Sequence, residues 1–424
     1  MYDSPVAAGS LAARIDMAAH AIEGRVIAWR RDFHEHPELG NREFRTAAIV
    51  AEHLRRLGLD EVRTEVAHTG VVGLLRGALP GPVVALRADM DALPVTEEVD
   101  VPFASKVRAT WNGESVGVMH ACGHDTHTAI LMGVAEVLAG LRAGLRGSVK
   151  FIFQPAEEMP PEGEEGGAKL MIEEGALEKP VPQAIFGLHV TSRLPLGVIG
   201  YRPGPAMASS DKLKITVHGR QTHGAMPWFG VDPIVTAAQV VLGLQTVVSR
   251  QVDLTREPAV VTIGAIKGGV RENIIPDSVE MRGTIRTFDE AMRDDIHERV
   301  TTLAEAISRG SRAGCTVCIS KNYPVTVNDP NLTAAMLPTL DRVAGPERLM
   351  LVSKVMGSED FSFFQRIVPG LFIFVGVVPP GADPMTVAPN HSPRFFADER
   401  SFVLGVRALA HLACDFLESG TAAA

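Results

Sequence analysis

Apolar residues along this chain recur at two periods, and the alternation between them predicts its organisation. Residues 11–57 carry mostly helical spacing, interrupted at His36-Pro37. Short apolar runs at 71–76 and 83–87, bounded by Gly and Pro, predict strands. Helical spacing over 129–141, an apolar run over 149–154, helical spacing over 168–174 and a further run over 184–189 continue the pattern. Strands separated by helices predict an α/β fold, a sheet covered by helices whose working loops gather at the strands' carboxyl ends.

The order changes after Pro203-Gly204-Pro205. Residues 212–218 alternate like a half-exposed strand, and 232–250 predict an amphipathic helix opened by Asp-Pro. Strands are expected over 259–266 and 279–287, a charged helix over 290–309 and a strand over 316–321. This β-α-β-β-α-β order predicts a small α+β unit. From residue 324 the α/β character returns, with helices expected over 332–343 and 360–367, a strand over 371–378 and a last helix from Ser401. The simplest organisation is one discontinuous α/β domain, 1–205 and 324–424, carrying an inserted domain over 206–323.

Composition narrows the function classes. With 46% hydrophobic residues over 424 positions, the chain can fill a core, which excludes disorder as its main state. No apolar run approaches the ~18 residues of a membrane span, so a soluble protein with no membrane partner is expected. A net charge of −9 with no long basic run argues against nucleic acid. Four cysteines are too sparse for a disulfide framework. Cys315 and Cys318 form a C-x-x-C, but inside a strand-like segment with no second pair, so they read as strand residues in a reducing compartment. Residues 1–13 lack the basic region and apolar core of a secretory signal; a frayed leader and a cytoplasmic location are expected.

The candidate chemistry is concentrated in a few turns. His120, Cys122, His124 and His127 fall within eight residues, with Gly123 allowing a tight turn and Asp125 or Thr126 placed to cap the following helix. A cysteine at a helix start is expected to have a lowered pKa and to be ready to ligate. Gln154-Pro155-Ala156-Glu157-Glu158 follows a buried strand. Neighbours in an extended segment point oppositely, so one carboxylate can hold a metal while the other addresses water. His189 and His391 end apolar segments. Together Cys122, His124, Glu158, His189 and His391 supply five ligands for one or two metals, leaving Glu157 as a base.

Several motifs then resemble a known family. They are Leu86-Arg87-Ala88-Asp89-Met90-Asp91-Ala92-Leu93-Pro94, the cluster over 120–127, Gln154-Pro155-Ala156-Glu157-Glu158, Gly187-Leu188-His189, Asn273-Ile274-Ile275-Pro276-Asp277 and Gly357-Ser358-Glu359-Asp360-Phe361. In order and spacing they look like the M20 metallopeptidases, within them the amidohydrolase branch of hippurate hydrolases, N-acyl-L-amino-acid amidohydrolases and auxin-conjugate hydrolases. The resemblance implies a two-metal catalytic domain with a mixed sheet, and an inserted lid or dimerisation domain. It implies two divalent ions, zinc or manganese first and cobalt or nickel as alternatives, held by Cys122, His124, Glu158, His189 and His391, with Glu157 as general base. It implies that His223 reaches a partner subunit's active site in a homodimer, and that Asn273 and Arg286 lie near the substrate carboxylate. Gly224 and Trp228 stand where the family more often has Ala and His, which bears on the acyl pocket. Asp91 is expected to orient a ligand rather than to bind metal. The activity implied is hydrolysis of an N-acyl-L-amino acid, a small-molecule substrate; the alternative is a dipeptidase or carboxypeptidase on the same site.

Overall fold

Ser10 opens the first helix, its hydroxyl accepting a hydrogen bond from Ala13 N at 3.3 Å. This is the start of a computed structural model that describes residues 9–419. The leader expected over residues 1–13 therefore lies partly outside the described residues, and its last part, from Leu11, is already helix. Two compact units make up the chain. The first comprises the described residues up to Gly204, Asn328–Val352, and those from Phe363 onward; the second comprises Pro205–Val327 and Ser353–Ser362.

The first unit is built on an eight-stranded mixed sheet. In spatial order its strands are Glu61–Val66, Gly70–Arg76, Arg146–Gln154, Leu79–Asp89, Ala184–Pro195, Gly370–Val378, Ile199–Tyr201 and Leu349–Leu351. The four central strands run parallel, and Gly370–Val378 is buried at every position. Such strands read as continuous apolar runs because both faces are covered. Helices Leu11–Glu35, His124–Gly140 and Phe402–Ser419 pack on one another, and the last two also pack on the central strands. Their buried residues join those of the strands in one core that includes Ile22, Val26, Leu86, Phe151, Phe186, Ile373 and Phe402.

Parallel register places the site. Asp89 pairs with Gln154, and Arg87 with Gly187, two residues before His189, which itself pairs with Phe374. The carboxyl ends of the central strands thus lie level, and the segments leaving them carry Asp91, Glu157 and Glu158.

In the second unit the elements follow as Ser210–His218, helix Pro233–Thr246, Ala259–Gly268, Ser278–Thr287, helix Glu290–Gly310 and Gly314–Tyr323. Its four strands form an antiparallel sheet in the order Ala259–Gly268, Ser278–Thr287, Ser210–His218, Gly314–Tyr323. Asp232 and Asp289 cap the two helices through their carboxylates. Val217, Val240, Met281, Ile285, Ile296 and Val300 share its core. Cys315 and Cys318 lie on the edge strand Gly314–Tyr323 with their thiols unpaired.

Several elements differ from the sequence expectation. The helix expected from residue 129 starts at His124, because a polar first turn hides the apolar period. The edge strand Glu61–Val66 and the hairpin of Arg108–Trp111 with Glu114–Gly117 carry too few apolar positions to signal themselves, and the edge strand Leu349–Leu351 is only three residues long.

Candidate metal centre

Three chain segments converge where the parallel strands end. The first is the turn before helix His124–Gly140. Gly123 occupies its N-cap with φ +93°, so neither Asp125 nor Thr126 caps the helix as expected. A Cβ on Gly123 would come 2.4 Å from Val190 Cγ2, so glycine is also needed for the close approach to the neighbouring strand. Asp125 turns inward instead. Its carboxylate pairs with Arg30 at 2.9 Å and with His34 at 2.7 Å, all of them buried, and anchors the helix start to the first helix.

The second segment is the turn after Arg146–Gln154. Ala156 takes φ +49°, and Glu157 and Glu158 sit in a turn, not in the extended backbone that the sequence suggested, so they do not point oppositely: both carboxylates approach His124. The third is the loop before the last helix. Asn390 ties it down: Nδ2 donates to Cys122 O and Val190 O at 3.1 and 3.2 Å, and Oδ1 accepts from Ser192 N at 3.2 Å. His391 N donates to Ala121 O at 2.8 Å, with His391 held at φ +71°.

These segments gather the candidate ligands. Cys122 Sγ stands 3.3 Å from His189 Nε2 and 3.2 Å from His391 Nε2. His391 Nε2 is 2.9 Å from Glu158 Oε1, and His124 Nε2 is 3.9 Å from Glu157 Oε2. Three overlapping donor groups result: Cys122, His124 and His189; Cys122, Glu158 and His391; and His124, Glu157 and Glu158, each within 4.8 Å of one another. Asp89, His124 and His127 are equally close. There, however, His127 Nδ1 donates to Asp89 at 2.6 Å and His127 Nε2 accepts from Val190 N at 2.9 Å, so both imidazole nitrogens are already engaged.

A surrounding layer of polar groups aims the donors. Asp91 Oδ1 lies 3.1 Å from His124 Nδ1 while Oδ2 accepts from Glu158 N at 2.9 Å, so one carboxylate serves both segments. His189 Nδ1 donates to Val190 O at 2.7 Å, which turns the Nε2 lone pair toward Cys122. Glu43, which the sequence analysis did not single out, is completely buried, and its Oε1 accepts from Ala156 N at 2.9 Å. Burial and the neighbouring Asp91 charge push it up to about 8.

The electrostatics favour a bound cation. Burial opposes the charge on His124, yet Asp89, Asp91 and Glu158 hold its imidazolium up to about 10. Burial, reinforced by Glu158 and Glu157, pushes the Cys122 thiol well above its ordinary range. Without a bound cation, burial first and the two carboxylates second outweigh the helix start that was expected to lower the thiol pKa. His124 Nε2 is buried without a hydrogen-bond partner. Thiol, imidazole and carboxylate donors around an orphaned imidazole nitrogen fit a divalent transition metal.

His223, Asn273 and Arg286 belong to the second unit. His223 is exposed on the two-residue strand Thr222–His223, pairs with Ile274, and accepts at Nδ1 from Ala225 N at 3.0 Å. Asn273 O accepts from Gly224 N at 2.8 Å, so the two residues flank one short antiparallel strand pair. Arg286, half-buried on Ser278–Thr287, donates to Ser358 Oγ at 2.9 Å.

Comparison with known proteins gives the same family. The family described as Peptidase family M20/M25/M40 matches residues 85–415. Thermostable carboxypeptidase 2 of Saccharolobus solfataricus is 41% identical over 93% of this chain and 96% of its own. N-acetylcysteine deacetylase of Bacillus subtilis is 38% identical over 95% of this chain and 100% of its own. The solved structure of a dinuclear metal-binding peptidase of the M20 family, also from Bacillus subtilis, superposes with a TM-score of 0.78 at 36% identity, covering 94% of this chain and 99% of that one. Fold, donor cluster and relatives agree: the chain is a metal-binding hydrolase belonging to the M20/M25/M40 peptidase family.

Proposed function

We propose that this enzyme hydrolyses the amide of N-acyl-L-amino acids, releasing a carboxylic acid and a free amino acid. The observation that carries the reading is Cys122 Sγ set between His189 and His391, with Glu157 and Glu158 brought to the same cluster by the turn after Arg146–Gln154. Cys122, His124, Glu158, His189 and His391 would hold two divalent ions, Cys122 and His124 each belonging to two of the donor groups. Bound there, such ions supply Lewis acidity to the scissile carbonyl and acidify the attacking water. Glu157 takes the proton from that water and returns it to the leaving nitrogen, a role typically worth ~10²–10⁴ in rate. Asp91 keeps His124 and the Glu158 turn in place throughout.

The inserted domain expected over 206–323, which falls within the second unit, acts as lid and dimerisation domain. Its helix Pro233–Thr246 exposes Ile234, Val235 and Leu242, and the edge strand Ala259–Gly268 exposes Ile266, apolar surface that suits a homodimer. His223 stabilises the oxyanion in a partner's site, and Arg286 and Asn273 receive the free carboxylate, the guanidinium as a bidentate fork. The donor set suits zinc or manganese, then cobalt or nickel. Among the described residues no helix is long and apolar enough to cross a membrane.

The deacetylase relative supports an acyl-amino acid substrate, and the carboxypeptidase relative supports a peptide one. Metal analysis of the purified protein, followed by a panel of acyl-glycines, acetyl-amino acids and dipeptides, separates them. Acyl-amino acids should be cleaved fastest. Turnover confined to dipeptides would move the assignment to the second reading.

A further inference from the structure

We infer that Glu43 is a positioning residue for the catalytic carboxylates, acting through the backbone of Ala156; this rests on the proposed roles of Glu157 and Glu158. Glu43 directly precedes helix Phe44–Arg56 at its N-cap, where an acidic side chain would ordinarily turn to the helix's own amides, yet it makes no capping bond. Glu38 does that work instead, its two oxygens accepting from Arg45 N at 2.9 Å and Thr46 N at 2.8 Å. The Glu43 carboxylate points the other way. Oε1 accepts from Ala156 N at 2.9 Å and Oε2 accepts from Thr69 Oγ1 at 2.5 Å.

Each contact falls on a segment that bears on the site. Ala156 is the left-handed residue, φ +49°, that ends the buried strand's direction and opens the turn from which Glu157 and Glu158 both approach His124. Thr69 immediately precedes Gly70–Arg76, the strand paired antiparallel with Arg146–Gln154, from which the turn departs. The chain before Glu43 also lies against the turn, since a Cβ on Gly40 would meet Ala156 Cα at 3.2 Å and Met159 O at 3.3 Å. The turn therefore hangs from two buried carboxyl groups, Glu43 at Ala156 N and Asp91 at Glu158 N, with Glu157 between them. A fully buried carboxyl group is a costly filler where an apolar side chain would serve packing alone. The amide it holds explains its presence: an unpartnered Ala156 N–H would let the turn relax toward a right-handed bend and re-aim both glutamates.

The test is zinc titration against a chromophoric chelator, with steady-state kinetics on an acyl-amino acid, for wild type, Glu43→Ala and Glu43→Gln. Wild type should bind two zinc equivalents; if it binds none, the metal reading and this inference fall together. Given a zinc-binding wild type, Glu43→Ala should weaken zinc binding per folded molecule ~10–100-fold and lower kcat with little change in KM. Glu43→Gln, which keeps an acceptor for Ala156 N, should recover most of both. A purely structural role would lower the melting temperature of the metal-free protein and leave zinc affinity and kcat of the folded fraction unchanged, and that result overturns the inference. Should Glu43→Ala not fold, Thr69→Val removes only the second anchor of the carboxylate. It should cost on the order of fivefold in zinc affinity, and unchanged affinity and kcat there would equally overturn the proposal.

Discussion

Replacing Asp91 with Asn tests how far the donor cluster depends on a single carboxylate. In the structure Asp91 receives two hydrogen bonds from two segments, His124 Nδ1 at 3.1 Å and Glu158 N at 2.9 Å. Asparagine has the same shape but only one acceptor oxygen, and its amide group can only donate on the other side. Whichever way it lies, one donor faces another donor. Losing one hydrogen bond to a charged acceptor costs about 1.5–3 kcal/mol, equivalent to roughly 10- to 150-fold in an equilibrium constant. Before metal binds, the Glu158 turn can shift to find another partner. Once Glu158 and His124 are both held on ions it cannot, so the loss is expressed mainly as metal affinity. Competition against a zinc chelator should therefore show weakened binding in Asp91→Asn, with turnover restored at high zinc. If Asp91→Asn binds zinc like wild type, the two hydrogen bonds are not what aims these ligands.

The other predictions concern single groups with distinct readouts. Glu157→Gln should keep its metal while turnover falls ~10²-fold or more, whereas Glu158→Gln should lose metal; equal metal loss in both would contradict the division between them. Gly123→Ala must adopt φ +93° and meet Val190 Cγ2 at 2.4 Å, and strain plus overpacking should cost about 2–4 kcal/mol in denaturant unfolding. A cost near zero would show that the turn can move. In the second unit, burial opposes ionisation of Asp211, but hydrogen bonds from His297 and Arg293 outweigh it and hold its pKa below the ordinary value. Its contribution to stability is therefore fully present above about pH 4 and is lost as pH falls through the lower folded value. Acid unfolding of Asp211→Asn should lack this component, and an identical acid limb in both proteins would remove Asp211 from the account. Finally, co-refolding Glu157→Gln with His223→Ala should recover a sizeable fraction of activity from two nearly inactive homodimers if His223 acts across the interface. Confirmed subunit exchange without recovery would exclude that role.

Much of this protein could be read from local pattern alone. The central strand Gly370–Val378 is apolar throughout because both its faces are buried, and the helices of the second unit announce themselves by period and by Asp caps. Candidate donors were legible because they cluster in short segments at strand ends, where parallel sheets expose side chains to chemistry. Tertiary structure decided which of them meet. His391 comes beside Cys122 from 269 residues away, and nothing in its own segment distinguishes it from a structural histidine. The thiol pKa of Cys122 could not be read locally, because a helix start is a local feature whereas its burial and the approach of Glu158 and Glu157 from another strand are tertiary. His127 sits among the candidate ligands in sequence, but Asp89 and Val190 occupy both its nitrogens. Glu43 left no signal, since in sequence it is one acidic residue before a helix and its partner Ala156 lies 113 residues on. Periodicity encodes the face an element buries; the register between elements, set by core packing, determines which polar atoms share a site.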